Sequence, residues 1–262
     1  MVPDTQIDPD VPTQHLDWIS RYVLDKYEGR PNVKLIQIGD WWNMGSLSSY
    51  DRGKGKMEGR RFLKDVQAGN EAWTRFTAPF AAARENGWPI ELIYTYGNHE
   101  ERILRAANDN AQLDGLVSLD ALQVEIDKDD PLWGWKSYPF LQPVNVDGVY
   151  YSHYFYNPNT GRPYSGANIE TRLKTLGHSF TMGHQQTLGY ALRPVAGRMQ
   201  HGLVAGAAYI HDEDYLGPQG NAYWRGIIIK HQVEDGSYDP MFLSLDYLCR
   251  RYEGVRLKDF RL

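Results

Sequence analysis

The stretch Tyr94-Thr-Tyr-Gly-Asn-His-Glu-Glu101 decides how this chain is read. An apolar and aromatic run over residues 90–96 is entered through Gly87 and Pro89 and runs into Gly97, after which Glu100-Glu-Arg-Ile-Leu-Arg-Ala-Ala has helical character. That is the pattern of a strand, a tight turn and a helix. In open α/β sheets ligands gather outside the carboxyl ends of the strands, so Asn98 and His99 stand where reacting groups usually stand. Taken alone, the stretch keeps a second reading, in which Asn98 caps the following helix and His99 faces solvent.

Working toward the N-terminus, a helix is predicted over residues 58–86, with Phe62, Val66, Trp73, Phe76 and Phe80 on its inner face and Gly87 as its stop. It reads either as one long helix or as two abutting ones. Residues 41–57 form a long Ser- and Gly-rich loop that opens on Trp41 and Trp42 and closes in basic residues, the composition of a substrate flap. A buried strand is expected over 33–38, ending in Gly39-Asp40, which would present a carboxylate at the strand end. Before it, Leu16, Ile19, Val23 and Tyr27 recur at helical spacing after Pro12, with Gly29 as the stop. The first ten residues leave room for only a stub of strand before Asp4. Asp4, Gln6, Asp8 and Asp10 are either a cluster of turn residues or one wall of a site for a hard cation.

Toward the C-terminus a helix is expected at about 100–111, a short one over 117–126, a strand over 137–142, and a hairpin over 144–152 turning at Asp147-Gly148. The hairpin delivers His153. After a Pro- and Gly-rich loop, a helix is predicted over 167–176, and a strand over 179–182 then runs into Gly183-His184-Gln-Gln186. The tail, with strand-like segments at 203–209, 223–230 and 241–248, reads as a mostly antiparallel sheet.

The chain has 262 residues, a formal net charge of −5 and one cysteine, Cys249. That length accommodates one α/β domain over 1–262. One cysteine rules out an internal disulfide and a cysteine-rich zinc site. No run approaches the roughly 18 apolar residues of a membrane span, so no membrane partner and a cytoplasmic location are expected. The negative balance argues against a uniformly basic nucleic-acid coat. Residues 51–65 differ locally, with Arg52, Lys54, Lys56, Arg60, Arg61 and Lys64 set against Asp51, Glu58 and Asp65. This segment is either a solvated face or a phosphate grip in which Arg52 takes part.

Four expected strand ends carry Asp40, Asn98 with His99, His153 and His184. The ordered series Asp-x-Gln, Gly-Asp-x-x-Asn, Gly-Asn-His-Glu, His and Gly-His-Gln-Gln resembles the five blocks of the calcineurin-like metallophosphoesterases, and most of all the subset encoded by bacteriophages. The resemblance covers about the first 190 residues. It implies an α/β (α+β) fold, a two-layer mixed β-sandwich flanked by helices, and a phosphate-ester substrate, with nucleic acid among the candidates. It also implies the host cell cytoplasm as the location, and attack by a metal-bound hydroxide between two metals about 3.5–4 Å apart. Asp40 would bridge the metals, Asn98, His153 and His184 would complete the second site, and His99 would be the general acid.

Three positions depart from the family pattern. The first metal site would consist of Asp4, Gln6, Asp40 and Gln186, with amides where the family has imidazoles. Such a site favours Mn²⁺, or Mg²⁺, over Zn²⁺ and binds weakly. Asp8, Asp10 and His15 are candidate substitutes there. Asn43 stands where the family has a carboxylate that orients the histidine, so an amide would orient His99. Trp41 and Trp42, next to Asp40, would border the cleft and stack a base, or else fill the core beneath the flap. Glu100 is expected as a helix-start residue favoured by the dipole, or as an orienter of the ligands. The implied activity is that of a phosphodiesterase, including a nuclease. The alternatives are a phosphomonoesterase on a nucleotide or phosphoprotein, and a metal-binding module whose chemistry has been weakened.

Overall fold

The computed structural model describes residues 1–213 and 217–260. It is a mixed α/β structure with several sheets. Three short strands, β1 (Lys34–Gln37), β2 (Glu91–Thr95) and β3 (Lys136–Tyr138), run parallel in the order β1-β2-β3. A second sheet has the order β4-β5-β8-β10-β9, from β4 (Val144–Val146), β5 (Val149–Tyr151), β8 (Ser179–Met182), β10 (Arg198–Ala205) and β9 (Leu188–Val195). A small hairpin, β6 (Tyr156–Asn157) with β7 (Arg162–Pro163), branches off after β5. β11 (Gly226–Glu234) and β12 (Ser237–Ser244) form an antiparallel pair. The helices are α1 (His15–Tyr27), α2 (Phe62–Glu85), α3 (Glu101–Asp109), α4 (Gln123–Ile126), α5 (Ile169–Leu176), a single turn α6 (Gly217–Gly220), and α7 (Leu245–Glu253).

Strand alternation explains how the layers form, because successive side chains leave a strand on opposite faces. Leu35, Leu92, Tyr94 and Ile227 join a cluster with Leu16 and Ile19 of α1, Trp73 and Phe76 of α2, and Leu248 of α7. Their neighbours Ile36, Ile93 and Ile228 belong to a different cluster, shared with Val146, Val149, Leu203 and Ala205 of the other sheet. Val204 and Phe180, on the far face of that sheet, pack with Ile169 and Leu173 of α5. Alternate side chains of the same strands thus enter different apolar clusters.

The N-terminal stub stitches the layers together. Val2 bridges Gln37 in parallel, Asp4 bridges Ala207, and Ala207 bridges Arg225. Residues 62–85 form one uninterrupted helix despite Pro79 within it. Three expectations are corrected. The segment 241–248 leaves its strand at Ser244, whose hydroxyl accepts from the Tyr247 N–H and caps α7. The strand expected over 203–209 instead spans Arg198–Ala205 and lies parallel to β8, while the pairings within the tail, β9 with β10 and β11 with β12, are antiparallel as expected. The helix predicted over 117–126 narrows to a 3₁₀ turn, Leu119–Ala121, followed by α4.

Candidate metal centre

β1, β2, β5 and β8 all point their carboxyl ends the same way, and each hands its next residues to one spot. Asp40 follows β1 through Gly39, Asn98 follows β2 through Gly97, and His153 and His184 follow β5 and β8. The candidate ligand atoms of Asp40, His153 and His184 lie within 4.8 Å of one another. These three residues can hold a metal ion. His153 Nε2 is 3.2 Å from Asp40 Oδ2 and 2.9 Å from Asn98 Oδ1. The other ring nitrogen, Nδ1, faces the Ile38 carbonyl oxygen at 2.9 Å, and the bond it donates there turns Nε2 toward the carboxylate and the amide.

Three acceptor-rich atoms thus converge, and such a group needs a positive centre. The protein alone can supply one only by charging His153. Burial works against the charged ring, but Asp40 beside it outweighs burial and lifts the His153 pKa to about 10. Asp40 is buried too, and the neighbouring His153 and His99 nonetheless hold its carboxyl well below the usual range. A divalent cation would satisfy the same atoms, and a carboxylate, two imidazoles and an amide oxygen are ligands suited to Mn²⁺ or Zn²⁺.

The backbone around these ligands is distorted where the ligands sit. Asp40 (φ 52°) and His184 (φ 66°) are in the left-handed region, as are Gln6 (φ 45°), Gln186 (φ 57°) and Met44 (φ 48°). Non-glycine residues there carry strain that surrounding contacts must hold in place. Glu100 supplies much of that hold. Its buried carboxylate accepts from the backbone N–H of Asp40 (3.1 Å), Trp42 (3.0 Å) and Gly97 (2.9 Å). Glu100 stands at the start of α3 as expected, and its carboxylate braces the backbone of the turn that carries Asp40. Burial, with Asp40 nearby, raises its pKa to about 7. Gly97 must be glycine, since a Cβ there would lie 2.2 Å from Asp40 Oδ1.

The residues of the expected first site are less assembled. Asp4 is fully buried, accepts from the His184 N–H at 3.0 and 3.1 Å, and has a pKa raised to about 7 by burial. It lies outside the group formed by Asp40, His153 and His184. Gln6 donates its backbone N–H to the Asp40 carbonyl and lines a cavity of about 540 Å³ with His99 and Asn43. The Gln186 amide oxygen is engaged by the hydroxyls of Tyr209 (2.8 Å) and Tyr223 (3.4 Å). Asp8 pairs with Arg60, Asp10 is exposed, and His15 is fully buried.

His99 lines that cavity and lies 3.7 Å from Asp40 Oδ2, but its partner was not foreseen. Arg102 Nη2 stands 3.0 Å from His99 Nε2, and Arg102 Nη1 donates to the Asn43 carbonyl at 2.9 Å. Arginine can only donate, so Nε2 accepts and the ring proton sits on Nδ1. Burial, then Arg102, lowers the His99 pKa to about 4. The expectation that the Asn43 amide orients His99 is corrected, since among the described residues no Asn43 side-chain bond to the ring is found. A cation three residues after His99, on the same helical face, was the available signal.

The tryptophan expectation is corrected as well. Trp41 and Trp42 are fully buried. Trp42 stacks on Trp73 at 5.4 Å, Trp41 meets the same ring edge-on at 4.9 Å, and their indole N–H groups donate to the Gly69 carbonyl and to Asn70 Oδ1. Neither borders the cleft, and the reading in which both fill the core holds. Lys54 and Lys56 pair with Asp51. Arg52 lines a larger cavity, of about 1210 Å³, together with Asn98, Arg102 and His184. No helix among the described residues is long and apolar enough to cross a membrane. No family model matches this chain, and no curated protein matches it.

Proposed function

We propose that this protein is a metal-dependent phosphoesterase acting on phosphodiesters, with the two-layer β-sandwich arrangement of the calcineurin-like enzymes. The observation that carries the reading is the convergence of Asp40, Asn98, His153 and His184 at the ends of four like-directed strands, with an arginine beside them. The reading calls for two divalent ions, Mn²⁺ foremost, of which the group Asp40, His153 and His184 supports one. The second site would be formed by Asp40, Asn98, His153 and His184, and a weaker first site by Asp4, Gln6, Asp40 and Gln186. Divalent ions there would supply Lewis-acid polarisation of a phosphoryl oxygen and would lower the pKa of water.

The chain's own residues supply the rest. Arg102 is placed to grip a phosphoryl oxygen through its planar fork. On gripping substrate it would release His99 Nε2, which would then be free to take up a proton and pass it to the leaving oxygen. Glu100 fixes the turn that carries Asp40, so that the ligands need no rearrangement when an ion arrives.

The test is hydrolysis of bis-para-nitrophenyl phosphate and of the corresponding monoester in Mn²⁺, Mg²⁺, Zn²⁺ and EDTA. Turnover of the diester with Mn²⁺, lost in EDTA and in Asp40→Asn, is the expected result. Absence of turnover while calorimetry shows the ion bound would sink the proposal. One observation favours a second reading, a metal-binding module without turnover: the Gln186 amide oxygen is already taken by Tyr209 and Tyr223. That outcome of the same assay would support it.

A further inference from the structure

The larger cavity carries more than the metal ligands need. From His184 an aromatic wall runs along the cavity, with the Tyr154 ring 4.9 Å from the His184 ring and Phe140 edge-on to Tyr154 at 5.4 Å; Tyr156, 5.9 Å from Tyr154, does not line the cavity. Tyr156 is 42% exposed. Tyr50, on the flap, lines the same cavity and is 84% exposed. The same cavity is lined by Arg52, Arg102 and Arg105, and by Glu101 and Asp109. Arg105 is fixed at the rim by a 2.8 Å bond to the Asn98 carbonyl, and Arg52 has no carboxylate partner among the described residues. Ligand pockets of about 300–1,000 Å³ enclose a drug-sized molecule, so 1210 Å³ leaves room for more than one nucleotide.

A small phosphate ester needs neither the rings nor the outer arginines. A run of alternating phosphates and flat bases needs both, because aromatic faces stack unpaired bases regardless of sequence while arginines track the backbone. Duplex bases have their faces occupied by their neighbours and cannot use such a wall. We propose that this cavity binds single-stranded nucleic acid, with the base beside the scissile phosphate stacked on Tyr154 and the adjoining phosphates on Arg52 and Arg105. The position of the scissile phosphate rests on the phosphoesterase reading above; the wall and the cations do not.

The experiment is fluorescence anisotropy of a fluorescein-labelled thymidylate dodecamer with the full chain in EDTA, where cleavage is blocked. The expected result is salt-dependent binding, weakened about tenfold or more in Tyr154→Leu and retained in Tyr154→Phe, which keeps the ring. Arg105→Ala and Arg52→Ala each weaken binding and shallow its salt dependence. An abasic dodecamer binds the parent weakly and is insensitive to Tyr154→Leu. Parental affinity in Tyr154→Leu, or a duplex that competes as well as the single strand, overturns the proposal. A uridylate dodecamer run alongside assigns DNA or RNA, and preferential binding of either supports the groove. Turnover of bis-para-nitrophenyl phosphate by the parent is scored separately. Turnover without dodecamer binding overturns the groove and leaves the esterase. Dodecamer binding that Tyr154→Leu weakens, with no turnover, overturns the esterase and leaves a nucleic-acid site.

Discussion

Glu100 illustrates how much one side chain can organise. Three backbone N–H groups at the turns after β1 and β2 find their acceptors in its carboxylate, and the residue is fully buried. Glu100→Ala orphans all three, at roughly 1–3 kcal/mol for each buried unsatisfied donor. We expect denaturant unfolding to show a loss of at least about 3 kcal/mol, together with weakened metal binding. A variant of parental stability would show that water replaces the carboxylate. His99→Ala should behave differently, since the ring bonds Arg102 and its removal leaves the three bonds to Glu100 in place. Turnover should fall by about 10²–10⁴, the usual worth of a positioned acid or base, with metal affinity kept; parental turnover would remove His99 from the mechanism.

His15 supplies a pH dependence. Burial holds its pKa down at about 3. The unfolded chain protonates this ring near its ordinary value of about 6.5, whereas the folded chain resists until about pH 3. Stability is therefore complete above about pH 6.5 and falls as the pH drops through that window, by roughly 1.4 kcal/mol per unit from this residue. His15→Leu should flatten the acid limb of a stability profile measured between pH 4 and 7. An unchanged limb would show that the ring is protonated within the fold.

At the scale of elements, the turn after β1 is braced from below by α2. Trp42 lies against Gly69, where an added Cβ would sit 1.8 Å from the indole Cδ1. Gly69→Ala must therefore displace either the helix or the ring, an overpacking cost of about 1–3 kcal/mol. Because Trp42 directly follows Asp40 and Trp41, the displacement should reach the metal centre. Calorimetry should find weaker Mn²⁺ binding in Gly69→Ala even where circular dichroism shows a folded chain. Unchanged affinity would mean that the tryptophan cluster relaxes without moving the ligand.

For the whole molecule, binding of an ion to the folded state alone raises stability by about 2.7 kcal/mol at a hundredfold excess over Kd. For a chain of this size that corresponds to a rise in Tm of several degrees, at roughly 2–4 °C per kcal/mol. Melting in Mn²⁺ against EDTA should show the rise in the parent and not in Asp40→Asn. A shift that survives the substitution would place the ion elsewhere.

The patterns that could be read along the chain were those that depend on neighbours in sequence: the helical spacing of α1 and α2, the Asp147-Gly148 hairpin, and the polar residues that follow β1, β2, β5 and β8. The strand-end position of Asp40, Asn98, His153 and His184 follows from local rules, and so these residues were legible as candidates. Their convergence depended on the parallel pairing of β5 with β8 and of β1 with β2, contacts between residues far apart in sequence that periodicity does not encode. The same reason explains the misplaced tryptophans, since whether an indole after Asp40 faces solvent or α2 is settled by Gly69 and Trp73. It explains Arg102 and Tyr154 too, whose side chains acquire meaning only beside His99 and His184. Sequence by itself determined which residues could coordinate and which strands and turns would carry them; packing between the sheets decided which of them meet.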